Sequence, residues 1–197
     1  MNKLRSCTHC FFLMTLLLSF KSNAQLNKWT WLVGGSGSFS STKNTYTSQA
    51  ISQTSDATEI NVSANVGYFL LDKFVAGLKP SYTKNKNQVN TPGGGYRNEN
   101  RIELGPFARY YFLANDKPFN LLTEASYQFG VYSFKPAKGN INTLSLMAGP
   151  VLYFNSSVGL EFLFGYYKRN ETIEDIDKTE NKGFRISIGL QFHLESE

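Results

Sequence analysis

The sequence predicts an all-β fold: an eight-stranded antiparallel up-and-down transmembrane β-barrel. Eight segments alternate apolar and polar residues with period 2, their apolar faces carry no charge, and the connections between them alternate short and long. Only 18% of the 197 residues are charged, whereas an ordinary soluble domain carries about 25%. Against that stand 16 Phe, 11 Tyr and 2 Trp. This composition excludes a disordered tail or a coiled coil. No long apolar run follows residue 20, which excludes a bundle of membrane helices.

Residues 1–24 have the parts of a secretory signal: Lys3 and Arg5, the apolar run Phe11 to Leu18, then small residues at Ser22 and Ala24. Cleavage is expected between Ala24 and Gln25, leaving residues 25–197 as the barrel domain. The apolar run falls short of the roughly 20 residues that an anchoring helix needs. Removing Lys3, Arg5 and Lys21 from the 20 basic residues leaves 17 against 15 acidic ones, so the net charge drops from +5 to +2. Cys7 and Cys10 leave too, so the pair around His9 is not expected to form a redox or zinc site.

The strands follow in order. The first places Trp29, Trp31, Val33, Gly35, Gly37 and Phe39 on one face. The second aligns Ile60, Val62, Ala64, Val66, Tyr68 and Leu70 opposite Glu59, Asn61, Ser63, Asn65 and Gly67. The third sets Phe74, Ala76, Leu78, Pro80 and Tyr82 against Lys79, Ser81 and Thr83; the fourth sets Ile102, Leu104, Pro106, Ala108, Tyr110 and Phe112 against Arg101, Glu103, Gly105 and Arg109. The remaining apolar faces run from Leu121 to Val131, Leu144 to Phe154, Val158 to Tyr166 and Phe184 to Leu194, taken at every second residue. Connections at Leu71 to Lys73, Ala114 to Pro118 and Asn155 to Ser157 are short. Those at Ser41 to Ala57, Asn85 to Asn98 and Arg169 to Asn181 are long and expected to be surface loops, with Lys135 to Asn140 a modest loop on the same side. Tight turns at one end and longer loops at the other are the pattern of an outer-membrane barrel with its turns in the periplasm.

A soluble lipocalin-type barrel, with the apolar face turned inward around a ligand, is the competing reading. Charge placement separates the two. At 18% charged, about eight of the roughly 46 apolar-face positions would carry a charge by chance, and none does. Facing lipid at the bilayer midplane costs Arg or Lys about 2–4 kcal/mol. The opposite face holds Glu59, Lys79, Arg101, Glu103, Arg109, Glu124, Glu161 and Arg185, four acids and four bases expected to pair in the lumen. Aromatics gather at two levels. Trp29, Trp31, Tyr68, Tyr110, Phe112, Tyr153, Phe154 and Phe192 lie towards the turns, and Tyr166 with Phe39, Tyr82, Phe164 and Phe184 towards the loops, as membrane-interface girdles do.

A strand motif recurs before each turn: Gly67-Tyr68-Phe69, Gly105-Pro106-Phe107-Ala108-Arg109-Tyr110-Tyr111-Phe112 and Gly149-Pro150-Val151-Leu152-Tyr153-Phe154. These hairpins resemble those of the small outer-membrane β-barrel proteins of Bacteroidota, similar in architecture to OmpX and OmpA barrels. The resemblance implies an eight-stranded barrel in the outer membrane and no particular cargo. Gly183 to Leu194 resembles the terminal strand recognised by the barrel-assembly machinery, although Glu195-Ser196-Glu197 follow where an aromatic usually ends the chain.

An eight-stranded barrel is just wide enough for side chains to fill it, so a plugged, structural lumen is expected, with a small porin-like channel as the alternative and an outer-leaflet lipid-modifying enzyme third. No catalytic, cofactor-binding or metal-binding residue is assigned. His193 could pair with Ser187 or Ser196 but sits at the turn end, and Glu59 lacks an identifiable acid-base partner. The acidic group Glu171, Glu174, Asp175, Asp177 and Glu180 lacks the spacing of a calcium loop. Gly34-Gly35-Ser36-Gly37 lies within a strand and has no Walker lysine. Lys84, Lys86 and Arg97 flank Pro92-Gly93-Gly94-Gly95 and could meet lipopolysaccharide phosphates. The expected partners are outer-membrane lipid and lipopolysaccharide, with the assembly machinery during biogenesis. A monomer is expected, and the charge of +2 supports no nucleic-acid role.

Overall fold

The computed structural model describes residues 26–48, 51–88, 96–114, 117–134, 137–173 and 177–195. Eight strands run in chain order: β1 (Thr30–Ser48), β2 (Ile51–Leu71), β3 (Phe74–Gln88), β4 (Tyr96–Tyr111), β5 (Phe119–Phe134), β6 (Ala137–Tyr153), β7 (Val158–Ile173) and β8 (Asp177–Glu195). Each pairs antiparallel with its sequence neighbour, and β8 closes onto β1 from Thr30↔Glu195 to Phe39↔Ile186. Closure gives every strand two partners, and this is the condition for a sheet to sit in a bilayer without open edges.

Alternation sorts the side chains. Ile60, Val62, Leu78, Ile102, Leu104, Phe129, Leu146, Ile186 and Ile188 are all outward and about half exposed. Asn61, Ser63, Asn65, Ser81, Ser126, Gln128 and Ser145 are inward and buried. A barrel with a polar inside and an apolar outside is the reverse of a lipocalin, so the soluble reading fails on the face that each side chain takes.

The described parts of the three expected long loops are strand instead. β1 and β2 stay paired from Ser41↔Thr58 to Ser48↔Ile51, β3 and β4 from Asn85↔Glu99 to Gln88↔Tyr96, and β7 and β8 from Arg169↔Asn181 to Ile173↔Asp177. The described part of the modest loop, 137–140, is likewise paired, from Val131↔Asn140 to Phe134↔Ala137. Apolar alternation marks a strand only where one face meets an apolar medium. Above the outer aromatics both faces are polar, and a Thr- and Ser-rich ribbon such as 41–58 continues the ladder with no such signature.

The turns close by specific bonds. Lys73 takes a φ of 66° in the two-residue turn between β2 and β3, and its N–H donates to the Leu26 carbonyl (2.8 Å). Asn155 Oδ1 accepts from the N–H groups of Ser157 and Val158 at 2.8 and 2.7 Å, an Asx turn. Asn120 holds Leu113 through both its amide atoms. Leu26 is buried beneath the barrel, and with Leu32, Phe69, Val75, Tyr111, Leu122, Val151 and Tyr153 it belongs to the apolar cluster at the turn end.

Prolines interrupt three ladders. β2 and β3 skip pairs between Ser63↔Ser81 and Val66↔Leu78, opposite Pro80; β4 and β5 between Leu104↔Phe129 and Phe107↔Ser126, at Pro106; β6 and β7 between Ala148↔Phe164 and Val151↔Glu161, at Pro150. A proline has no N–H to give. Glycine precedes two of them, and a Cβ there would overlap the neighbouring backbone: the Tyr127 carbonyl oxygen at Gly105, the Phe162 carbonyl oxygen at Gly149. Each Gly-Pro pair therefore accommodates a facing strand that leans inward where the ladder is open.

Candidate functional site: the charged lumen

Inward side chains of the strands build two charged tiers. The lower one is centred on Arg109 of β4, which is fully buried. Its Nε donates to Glu124 Oε2 on the adjacent β5. Across the lumen Nη1 and Nη2 donate to Glu161 Oε2 and Oε1 of β7 at 2.7 and 3.2 Å, a bidentate fork. Nη1 also reaches Gln191 Oε1 at 3.1 Å, which accepts from the Tyr111 hydroxyl at 2.8 Å. Lys79 of β3 pairs with the other oxygen of Glu124. Two cations and two carboxylates thus bind four strands together at one level.

The upper tier gathers on Glu59 of β2. Arg101 Nη1 donates to Oε2 at 2.7 Å, and Arg169 donates to both oxygens at 2.7 and 2.6 Å. Arg185 Nη2 donates to Oε1 at 3.0 Å. Arg101 also pairs with Glu171 at 3.2 Å, and Glu103 accepts from the Thr143 hydroxyl. Each tier carries as many carboxylates as cations. Isolated charges at such burial would cost several kcal/mol each, so the pairing is a condition of folding.

The eight charges singled out from the sequence all point into the lumen, and the structure adds two to them. Arg169 and Glu171 fall in a segment expected to be a loop, yet both continue the inward parity of Glu161 on β7. Between the tiers lies a small chamber bordered by Lys79 and Arg185.

The interface aromatics take the outward face with one exception. Trp29, Trp31, Tyr110, Phe112, Tyr166 and Phe192 are exposed, Tyr68 and Phe154 half-buried, and Trp31 packs on Tyr68 with ring centroids 4.9 Å apart. Tyr153 is the correction: it is buried, 5.7 Å from the His193 ring, inside the floor of the barrel. It follows Leu152, which is outward, so period 2 turns it inward however close it lies to the girdle.

His193 lies among Phe69, Tyr111 and Tyr153. Ser187 is six residues up the same strand, roughly 20 Å away in extended chain, and its hydroxyl donates to the Gly37 carbonyl. The geometry therefore does not bring these two together, and Ser196 lies outside the described residues. Glu59, weighed as an acid-base group, is instead saturated by three guanidinium groups. Of the acidic group, Glu171 pairs with Arg101, Glu180 pairs with Lys168 at 2.6 Å, and Glu174 and Asp175 lie outside the described residues. Among the described residues no set of three acidic, His or Cys side chains converges as metal ligands would. Lys84 is exposed; the side chains of Lys86 and Arg97 and the segment Pro92 to Gly95 lie outside the described residues, as do residues 1–24.

Solved structures share the architecture, and two of them serve for comparison. Neisserial surface protein A superposes with a TM-score of 0.52 at 15% identity, covering 84% of this chain and 97% of that one. The outer membrane protein OprG from Pseudomonas aeruginosa gives 0.55 at 10% identity, covering 90% of this chain and 100% of its own. The fold is that of the small outer-membrane barrels. No family model and no curated protein matches the chain. At these identities the likeness speaks for the fold, and the chemistry must come from the lumen itself.

Proposed function

We propose that this protein is an integral outer-membrane barrel with a structural and surface-interaction role, its lumen sealed by paired charges. The observation that carries the reading is the Arg109 tier, where one fully buried guanidinium joins β5, β7 and β8 across the interior. A pore for solutes would leave that space to water. The hairpins that continue beyond the outer aromatics as paired ribbons are the parts available to partners outside the cell: lipopolysaccharide, or a ligand meeting their polar faces. Envelope integrity and adhesion are the processes such a surface serves. The chain is exported by residues 1–24, cut after Ala24, delivered by the barrel-assembly machinery, and works as a monomer without cofactor, nucleic acid or catalytic step. The motif at Gly105 to Phe112 favours a place among the small barrels of Bacteroidota.

Reconstitution of the pure protein in planar bilayers tests this role. The expected record is flat at the resolution of single channels. Steady, large conductance steps would favour a porin-like channel instead.

A further inference from the structure

Above the outer aromatics of the last hairpin, on the face turned away from the lumen, two lysines stand opposite each other. Phe164 and Phe184 stack with ring centroids 5.5 Å apart, and Tyr166 meets Phe184 edge-on at 6.0 Å. Tyr166 is paired with Phe184 across the β7–β8 ladder, and the next outward pair above them is Lys168↔Lys182. These side chains are 42% and 64% exposed. Like charges directly opposite on neighbouring strands are destabilising, so the pair needs an anion. The two share Glu180, whose carboxylate is 2.6 Å from Lys168 Nζ and 3.6 Å from Lys182 Nζ. On the β6 side Lys168 faces the uncharged Leu144. One carboxylate for two ammonium groups leaves a surplus positive charge, held mainly on Lys182, the more distant of the two.

A second observation concerns the backbone beside Lys182. The β1–β8 ladder ends at Phe39↔Ile186, whereas β8 stays paired with β7 as far as Asp177. The His193 N–H points towards β7, donating to the Ser157 carbonyl, so by alternation the even-numbered residues of β8 turn their main-chain groups towards β1. Phe184 and Lys182 lie beyond the last β1 partner and therefore present their N–H groups at an open sheet edge. Height decides what meets them. Two residues along a strand tilted by about 40° rise roughly 5 Å, and the headgroup layer outside the hydrocarbon core is about 5–7 Å deep. With the aromatic rings at the membrane boundary, the lysines stand at the level of lipid phosphates.

We propose that Lys168, Lys182 and the open edge of β8 bind a phosphate of an outer-leaflet glycolipid, the lipid A part of lipopolysaccharide, with its acyl chains along the outward Phe164, Phe184 and Ile186. The inference rests on the outer-membrane role proposed above and gives its lipid partner a site. A phosphate monoester brings more charge than Glu180 supplies and accepts from ammonium and backbone N–H together. The acyl chains hold it at this height, as they could not hold a free phosphate ion.

The test is native mass spectrometry of the full barrel released from detergent, with bisphosphorylated lipid A, lipid A stripped of phosphate, and inorganic phosphate as probes. Heat-modifiable migration establishes that each protein is a folded barrel, so lost binding by a folded protein counts against this site and leaves the outer-membrane role standing. Bisphosphorylated lipid A should persist as a one-to-one adduct, bound about tenfold more tightly than the dephosphorylated form, and inorganic phosphate should not displace it. Lys182→Gln should weaken the adduct about tenfold, the loss of a charge-assisted hydrogen bond. Glu180→Gln removes the competing carboxylate and should strengthen it. Lys84→Gln is an equal change of charge above the outward Tyr82, three strands round the barrel and beyond a Debye length, and should alter binding by less than about twofold. Equal losses from Lys84→Gln and Lys182→Gln would reduce the effect to general attraction by a basic rim and overturn the proposal. So would indifference to the lipid's phosphates, displacement by inorganic phosphate, or weaker binding in Glu180→Gln.

Discussion

Replacing Arg109 by methionine keeps much of the side-chain volume and removes the charge that organises the lower tier. Glu124 keeps Lys79 after the change, whereas both oxygens of Glu161 lose the fork they accept from Nη1 and Nη2. Removing one partner of a buried ion pair costs about 3–5 kcal/mol, because the other charge stays behind in a poorly polarisable interior. Against a total stability of about 5–15 kcal/mol, Arg109→Met should lower stability by roughly 4 kcal/mol. The assay is equilibrium urea unfolding in lipid vesicles, read from Trp29 and Trp31 at the membrane rim. The double variant Arg109→Met/Glu161→Gln restores neutrality and should be more stable than the sum of the single changes predicts, by about 2–3 kcal/mol of coupling. A loss below about 1 kcal/mol for Arg109→Met, or strict additivity in the cycle, would refute a lumen held by paired charges.

Gly105→Ala places a Cβ on the Tyr127 carbonyl oxygen and should cost about 3 kcal/mol or prevent folding, whereas Gly37→Ala, whose Cβ meets nothing within 4 Å, should unfold at nearly the wild-type urea concentration. Leu104→Arg puts a charge on the outward face in the middle of β4 and should lose about 2–4 kcal/mol in bilayers, measured by the same titration. Tyr153→Ala should cost about 3–5 kcal/mol as a core truncation while the outward Phe112→Ala costs much less; equal effects would mean that Tyr153 faces lipid after all.

The membrane-facing half of the structure was legible because lipid imposes a strict rule on one face. Every second residue from Ile102 to Phe112 or Phe184 to Leu194 is uncharged, and that parity alone fixes which way Arg101, Arg109 and Arg185 point. Legibility ended where the lipid ends. Above Tyr166 the outward positions of β7 are Lys168 and Asn170, so apolar alternation vanishes although the strand continues to Ile173. Arg169 and Glu171 were hidden there, and carrying the parity of Glu161 four and five steps further would have revealed them. Tyr153 was misplaced for the opposite reason: proximity to the girdle was weighed above parity. The partners of each charge were beyond sequence reasoning. That Glu59 meets Arg169 and Arg185 depends on the barrel closing, which brings together residues 110 and 126 positions apart.

Conductance across a planar bilayer tests the sealed lumen most directly, with the wild-type barrel compared against a variant truncated at both tiers, Arg109→Ala/Arg169→Ala. Silence from the wild type, and discrete openings from any variant that still inserts and shows heat-modifiable migration, is the predicted result. Steady openings of the wild-type protein would contradict it.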